Sequence, residues 1–189
     1  MPQTAVSIRR YARFFRQSGA TRVLDYGTGT MRNALYLAEQ GFTVFAADLP
    51  EQVATLIPCP AVQRLAGLLD TEQLCLSRLN VDLVVSTYVF NIIPEYEEQR
   101  RYLANAVQNL RPGGYLLMEV RCPREGSVCG AGCSHYFKCP NCAKSYTHTE
   151  LDLLLNPFGL RRISHYYRRT AVAAIYTKSG NYSDIKAEG

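Results

Sequence analysis

The amino-acid sequence predicts an α/β protein built on a Rossmann-like, doubly wound and mainly parallel sheet. Apolar segments of strand length alternate along the chain with segments of helical periodicity. The clearest unit is a strand at residues 22–26 that runs into Gly27 and Gly29 and is followed by a helix at residues 31–40. Glycine allows the abrupt change from strand to helix and lets a ligand approach bare backbone. The sequence therefore predicts a nucleotide-type ligand site at this turn.

The other elements are predicted from periodicity, capping signals and chain breakers. Residues 4–18 have the pattern of an amphipathic helix that ends at Gly19, whereas residues 50–80 give no clear pattern. Further elements are expected as strands at residues 42–47, 82–87 and 115–120, a helix that begins near Pro94 and is broken at Arg111, a capped helix at residues 151–155, and closing strands at about 160–167 and 170–177. This alternation implies a ligand site at the carboxyl ends of the parallel strands.

Two cofactor classes use a glycine turn of this kind. A dinucleotide site requires G-x-G-x-x-G, whose last glycine permits close helix packing beside a pyrophosphate. Arg32 stands at that sixth position, which counts against a nicotinamide cofactor. The segment from Asp25 to Gly29 instead resembles motif I of class I S-adenosylmethionine (SAM) dependent methyltransferases, usually written D-x-G-x-G-x-G. Met31 replaces the third glycine of that motif.

The resemblance to class I methyltransferases covers most of the chain. The block from Leu110 to Gly114 looks like the L-K/R-P-G-G that precedes the family's fifth strand, and the family's sheet ends in an antiparallel hairpin strand. The segment from Asp82 to Pro94 is similar to the family's motif IV and the residues behind it. The resemblance therefore adds a final antiparallel hairpin strand to the predicted fold.

The family also implies which residues hold SAM. Its glycine turn runs past the methionine part of SAM, and an acid after the second strand holds the ribose hydroxyls. Asp48 matches that acid, because a carboxylate can accept hydrogen bonds from both hydroxyls. The family's adenine-contacting acid after strand three is not evident, and Asp70 is the residue considered for it. The implied cofactor-binding residues are Asp25, Tyr26, Gly27, Gly29, Asp48, Leu49 and Thr87.

The predicted catalytic residues are Tyr88 and Asn91, just after the fourth expected strand. Methyl transfer depends largely on positioning the acceptor in line with the bond from sulfur to methyl, so the protein need not supply a nucleophile. Both residues fall at the carboxyl edge of the sheet, near the expected reactive end of the cofactor. In the alternative interpretation, Tyr88 packs on the cofactor and Asn91 caps the next helix. Glu119, Arg121 and His148 are further candidates for the pocket.

Five of the seven cysteines are crowded between Cys122 and Cys142. Four of them, with turn-forming Gly, Pro and Asn between them, have the spacing of a tetrahedral zinc site with four thiolates. We therefore predict a small structural zinc-binding insertion at residues 122–146, with Cys122 and His135 as substitute ligands. Free thiols and a redox pair are the alternatives. The predicted zinc ligands are Cys129, Cys133, Cys139 and Cys142.

Length and composition predict one domain over residues 1–189, since 47% of the residues are hydrophobic. No apolar run has the length of a membrane span, and the arginine-rich N-terminus lacks the apolar region of a signal peptide. We therefore expect a cytoplasmic protein without a membrane partner. The net charge of +5 permits an acidic partner without requiring one. The sequence does not indicate an oligomeric state.

Three functions remain open on the sequence. The favoured one is a SAM-dependent methyltransferase of a small molecule, with zinc as a structural metal. The second is a nucleic-acid methyltransferase or an accessory of a modification system, supported by the basic and aromatic stretch from Arg161 to Arg169. Alternation along a strand turns half of that stretch inward, and neither the D/N-P-P-Y nor the Pro-Cys motif of DNA methylases follows the fourth expected strand. The third is a non-catalytic module that binds SAM or is bridged by zinc to a larger assembly.

Overall fold

The computed structural model describes residues 3–122, 144–168 and 170–179. The strands are β1 (Arg22–Tyr26), β2 (Thr43–Asp48), β3 (Gly67–Asp70), β4 (Val81–Thr87), β5 (Leu110–Arg121), β6 (Leu160–Arg168) and β7 (Ala171–Lys178). They form a sheet in the order β3-β2-β1-β4-β5-β7-β6. The first five strands are parallel, and β7 is antiparallel to both β5 and β6. The predicted Rossmann-like, mainly parallel sheet with a final antiparallel hairpin strand is therefore confirmed.

Helices pack on both faces of the sheet. They are α1 (Val6–Gln17), α2 (Arg32–Glu39), α3 (Pro50–Leu56), α4 (Thr71–Leu76), α5 (Tyr96–Asn109) and α6 (His148–Leu155). In β4, Val84 belongs to the apolar cluster that includes α5 and α6, and Val85 belongs to the cluster that includes α1 and α2. Successive strand residues point to opposite faces, so the two clusters lie on opposite sides of the sheet. Since β4 is the middle strand of the seven, its last residue, Thr87, lies at the centre of the carboxyl edge of the parallel strands.

The block before the fifth strand differs from the prediction. The helix α5 ends at Asn109, as the Arg-Pro-Gly-Gly sequence predicts, but β5 already begins at Leu110. Leu110 pairs with Val81, and the register shifts before the next pair of the two strands. Gly113 has a φ of 72°, which glycine adopts readily. The block therefore forms an irregularity within β5 as well as ending the helix.

No helix within the described ranges is both long and apolar enough to cross a membrane. The predicted insertion contains residues 123–143, which lie outside the described part of the chain, and so do its four cysteine ligands. Among the residues that the structure describes, no group of three or more His, Cys, Asp or Glu side chains has the arrangement of a metal site. The zinc site therefore stays a prediction.

Asp82, at the start of β4, joins three segments at the amino edge of the sheet. One carboxylate oxygen accepts hydrogen bonds from the backbone amides of Thr21 and Arg22, both at 2.8 Å. The other oxygen accepts from Nε of Arg111, in the irregular block of β5. Burial opposes the ionisation of Asp82, but the hydrogen bonds from Arg22, Thr21 and Arg111 outweigh it and lower the pKa to about 2. The ionised carboxylate thus holds β1, β4 and β5 in their relative positions.

We predict that Asp82→Asn destabilises the protein at neutral pH by about 2 kcal/mol, since the lowered pKa corresponds to that free energy. A depressed folded-state pKa stabilises the protein above the unfolded-state value of 3.8. That stabilisation is lost as the pH falls toward 2. Urea unfolding at several pH values should therefore show a difference between the two proteins that narrows below pH 4.

Glu39→Gln is the matched control, because Glu39 pairs with Arg64 at 2.9 Å on the exposed surface. Exposed pairs contribute less than about 1 kcal/mol. This variant should unfold nearly as the wild type does at every pH. A loss of stability in Asp82→Asn that does not change with pH would show that the charge of Asp82 is not the cause.

Candidate cofactor-binding and active site

The turn from β1 into α2 has left-handed backbone at three alternate positions. Gly27, Gly29 and Met31 have φ values of 84°, 55° and 60°. The amides of Gly27 and Thr28 both donate to the carbonyl oxygen of Ala47, at 2.8 and 3.0 Å. These bonds hold the turn against the end of β2. The predicted change from strand to helix at the two glycines is thus present, together with a third left-handed residue.

Met31 keeps the backbone conformation of the glycine that it replaces in the motif. Left-handed backbone costs a residue other than glycine roughly 1–2 kcal/mol. The Met31 side chain is only 2% exposed and packs in the apolar cluster of α1 and α2, so its burial offsets that strain. The missing third glycine therefore does not abolish the turn, and α2 begins at Arg32.

Asp25 supports the turn from behind. Its side chain is 1% exposed, and Oδ2 accepts a hydrogen bond from the Thr28 hydroxyl at 2.8 Å. Burial raises the pKa of Asp25 to about 6, against the hydrogen bonds from Thr28 and the Ala34 amide, which lower it. Asp25 lies outside the cavity next to the turn, so the structure gives this predicted cofactor residue a supporting position.

A cavity of about 560 Å³ opens at the carboxyl ends of β1, β2 and β4, as expected for a doubly wound sheet. Part of its wall is a stack of Tyr26 and Tyr102, whose ring centroids are 4.1 Å apart. The Tyr102 hydroxyl lies 2.7 Å from the Ser86 hydroxyl, which fixes the stack against β4. The predicted residues that line the cavity are Tyr26, Gly27, Gly29, Asp48, Leu49, Thr87 and Tyr88.

Asp48 lies beside the glycine turn with its carboxylate held by two backbone amides. Oδ2 accepts from the amide of Gly29 at 2.7 Å, and Oδ1 accepts from the amide of Leu49 at 2.8 Å. A carboxylate oxygen can accept more than one hydrogen bond, so Asp48 can still accept from two neighbouring hydroxyl groups in the cavity. The amides thus fix the orientation of a group that is suited to a ribose.

Two hydrogen-bonded groups form the cavity wall at the end of β4. The Thr87 hydroxyl accepts from Nδ2 of Asn33 at 2.9 Å, and Oδ1 of Asn33 accepts from the amide of Ala5. The Tyr88 hydroxyl donates to Oε1 of Glu119 at 2.8 Å. Burial and the neighbouring Glu119 raise the pKa of Tyr88, so its phenol stays protonated.

Asn91 and Asp70, like Asp25, lie outside the described cavity wall. Asn91 is 1% exposed and is not part of the cavity wall; its carbonyl oxygen accepts from the Lys144 amide at 2.8 Å. It does not cap α5 either, because Glu95 occupies the N-cap position. The Asp70 carboxylate accepts from the Gln73 amide at 2.7 Å and caps α4. Neither the Asn91 side chain nor the Asp70 side chain is therefore part of the described cavity wall.

Several lining residues were missed by the sequence analysis. Arg32 is the one Lys or Arg side chain in the described cavity wall, and Nε2 of Gln52 donates to the Gly29 carbonyl at 2.9 Å. Glu98 and Tyr102 come from α5, and Thr71 comes from the start of α4. Arg32 follows the motif directly and was therefore recognisable as a neighbour of the site. The residues of α4 and α5 had no comparable signal, because only the folded helices bring them to the cavity.

A family model described as a methyltransferase domain matches residues 4–180. One similar solved structure is 1,6-didemethyltoxoflavin-N1-methyltransferase from Burkholderia thailandensis, bound to S-adenosylhomocysteine (SAH) and 1,6-didemethyltoxoflavin. It is 19% identical with a TM-score of 0.66, over 92% of this chain and 79% of that chain. Magnesium protoporphyrin IX methyltransferase from Synechocystis PCC 6803 is 15% identical with a TM-score of 0.67, over 92% and 82% of the two chains. A SAM-dependent methyltransferase from Methanosarcina mazei is 18% identical with a TM-score of 0.64, over 94% and 99%.

At these identities the solved structures show the fold alone. The comparison with curated proteins found no match. The family model, in contrast, spans nearly the whole chain and includes the glycine turn, Asp48 and the cavity wall at the end of β4. The chain therefore belongs to the methyltransferase domain family and is a class I SAM-dependent methyltransferase.

Proposed function

We propose that the protein transfers a methyl group from SAM to a small-molecule acceptor in the cavity at the carboxyl edge of the sheet. The orientation of Asp48 is the observation that carries this proposal. Its carboxylate faces the cavity, is fixed by the amides of Gly29 and Leu49, and retains lone pairs for two ribose hydroxyls. When bound, SAM supplies a methyl group activated on a sulfonium.

The other residues around the turn also fit SAM. A Cβ atom at Gly27 would lie 2.2 Å from Cγ2 of Val89, so the opposite wall approaches this glycine closely. At Gly29, in contrast, a Cβ atom would meet no atom within 4 Å, so the turn presents open backbone there to the methionine part of SAM. Arg32, at the same end of the cavity, is the residue that we assign to the methionine carboxylate, since a guanidinium pairs well with a carboxylate.

A small-molecule acceptor is favoured over nucleic acid for two reasons. By their names, the methyltransferases of Burkholderia thailandensis and Synechocystis act on small molecules, 1,6-didemethyltoxoflavin and magnesium protoporphyrin IX. In addition, the basic stretch in β6 does not form one cationic face: Arg162 is paired with Asp152 at 2.9 Å, whereas Arg161 and Arg168 are exposed. A bound nucleic acid would therefore meet only part of this stretch.

We further propose that Cys129, Cys133, Cys139 and Cys142 hold one structural zinc ion. The proposal is supported by the four-thiolate spacing of these residues. Cys122, which the structure places at the start of this segment, is half-buried with its sulfur 3.7 Å from the Arg168 carbonyl oxygen. This position links the segment to the edge strand β6, near the end of β5.

For the cofactor site, Gly27→Ala should weaken SAM binding about tenfold or more. The added Cβ would collide with Val89 and displace this side chain of the cavity wall. Asp48→Asn should weaken binding by a similar factor, because hydrogen bonds to a charged group contribute about 1.5–3 kcal/mol. Calorimetric titration with SAM measures both effects.

Gly41→Ala is the matched control for Gly27→Ala. Gly41 has a φ of 87°, but a Cβ there meets no atom within 4 Å, so this variant has the backbone strain without the collision. Its SAM affinity should equal that of the wild type. Unchanged affinity in both Gly27→Ala and Asp48→Asn would contradict the cofactor assignment.

The acceptor class can be identified with SAM that carries a labelled methyl group. The protein and labelled SAM are incubated with a lysate that is then separated into nucleic acid, protein and low-molecular-weight fractions. We expect the label in the low-molecular-weight fraction. Label in nucleic acid, with an affinity that falls steeply with salt, would support the alternative function.

Elemental analysis of protein purified without added metal should find one zinc ion per chain. The lining residues of the SAM cavity in the described part of the chain all lie between Tyr26 and Tyr102, ahead of the predicted insertion in the sequence. Removal of zinc by a chelator should therefore leave SAM affinity nearly unchanged, while methyl transfer falls. Absence of metal together with freely titrating thiols would refute the zinc site, and loss of SAM binding on chelation would refute its separation from the cofactor site.

A further inference from the structure

Glu119 is a buried carboxylate next to the proposed acceptor side of the cavity. It lies near the end of β5, and its side chain is 1% exposed. One oxygen accepts from the Tyr88 hydroxyl at 2.8 Å, and the other accepts from the Ser7 hydroxyl. The Ser7 amide adds a longer contact of 3.4 Å to the same oxygen. These contacts come from hydroxyl and amide groups, and none of them is an ion pair with Lys or Arg.

Glu119 accepts hydrogen bonds from both the backbone amide and the hydroxyl of Tyr88. The strands β4 and β5 are in register with Thr87 opposite Glu119, so Tyr88 is the first residue past this pair. Its amide donates to the Glu119 carbonyl oxygen at 2.7 Å, while its hydroxyl donates to the Glu119 carboxylate. Tyr88 also has a φ of 59°, a left-handed conformation that is strained for a tyrosine. Strained backbone of this kind persists where surrounding contacts hold it, and it is frequent at functional sites.

The direction of the hydrogen bond determines what Tyr88 can offer to a ligand. Since the phenol proton points to Glu119, the remaining lone pair of the phenol oxygen can accept a proton from a group in the cavity that Tyr88 lines. The raised pKa of Tyr88 means that its phenol does not ionise by itself near neutral pH. A proton taken up by Tyr88 must therefore be matched by transfer of the phenol proton to Glu119.

We propose that Tyr88 accepts the proton of the methyl acceptor and that Glu119, held in place by Ser7, positions Tyr88 and receives its proton. This inference rests on the proposed methyl transfer. It restricts the substrate class, because the acceptor atom must be a nitrogen or oxygen that carries a hydrogen.

The step balances in atoms and charge. The acceptor nitrogen or oxygen forms a bond to the methyl carbon while the bond from sulfur to methyl breaks and its electron pair returns to sulfur. The proton of the acceptor passes to the Tyr88 oxygen, and the Tyr88 proton passes to the Glu119 carboxylate. After the product leaves, the proton returns through Tyr88 to water in the open cavity. No oxidant or further reactant is needed.

The test compares Tyr88→Phe, Glu119→Gln and Ser7→Ala with the wild type. Tyr176→Phe is the matched control, because Tyr176 donates to Asp152 at 2.9 Å in another phenol–carboxylate pair, away from the cavity. Each protein is titrated with SAM by calorimetry. Each is then assayed at neutral pH with labelled SAM and the low-molecular-weight fraction of the lysate.

We expect Tyr88→Phe and Glu119→Gln to bind SAM as the wild type does and to transfer label about 100-fold more slowly, the usual scale of acid–base catalysis. Ser7→Ala should have a smaller effect, and Tyr176→Phe none. The other titratable side chains whose charge affects the pKa of Tyr88 are Tyr166 and Arg168 of β6, and both are unchanged in these variants.

A spectroscopic measurement is independent of the acceptor. In protein with ¹³C at the tyrosine ring carbon that bears the hydroxyl, the Tyr88 signal is identified by its absence from Tyr88→Phe. Its titration should move to lower pH in Glu119→Gln, because the negative charge that opposes phenol ionisation is lost. An unchanged titration would show that Glu119 does not act on the phenol and would overturn the proposal.

The results also separate this inference from the proposed function. A wild type that binds no SAM would refute the proposed function. A wild type that transfers label, together with a Tyr88→Phe variant of equal rate, would refute only the role of Tyr88 and Glu119. Tyr88→Phe removes a single oxygen atom from a half-buried side chain, so it decides the question even where Glu119→Gln does not fold.

Discussion

The left-handed turn between β1 and α2 is the constraint on which the site depends. Its amides bind the end of β2 and the Asp48 carboxylate, so the turn and Asp48 form one unit. The buried Asp25 supports the turn from the side away from the cavity. The turn also sets where α2 begins, and α2 in turn places Arg32 and Asn33 at the cavity. One local backbone conformation therefore positions the groups proposed for the ribose, the methionine part and the methionine carboxylate.

The N-terminal helix is tied to the same edge of the sheet by two polar links. Ala5, just before α1, donates to Asn33, and Ser7, in its first turn, donates to Glu119. Asn33 and Glu119 in turn bind the Thr87 and Tyr88 side chains in the cavity wall. The N-terminal helix packs in the core through Ile8 and Phe15, and its start also supports the cavity wall.

The sequence predicted most of the fold because long apolar strands and capped helices leave a local pattern. The region at residues 50–80 gave none, since α3, β3 and α4 have only seven, four and six residues, too few to show a period. At the site, Gly27, Asp48 and Tyr88 were predicted from a motif and their places after strands. Asn91 was assigned to the site by its proximity in sequence, but the short 3-10 turn at Phe90–Ile92 buries it outside the described cavity wall, so its catalytic role stays a prediction. The contact between Ser7 and Glu119 joins residues far apart in the chain and leaves no sequence pattern.

The central claim is that SAM binds in the cavity between the glycine turn, Asp48 and the end of β4. Hydrogen–deuterium exchange of the wild-type protein, with and without SAM, locates the cofactor most directly. The account predicts slower exchange in the segments 26–33, 48–52 and 87–94, which contain most of the residues that line the cavity, and unchanged exchange in α6 on the far part of the sheet. Slower exchange confined to other segments, or no change at saturating SAM, would contradict it.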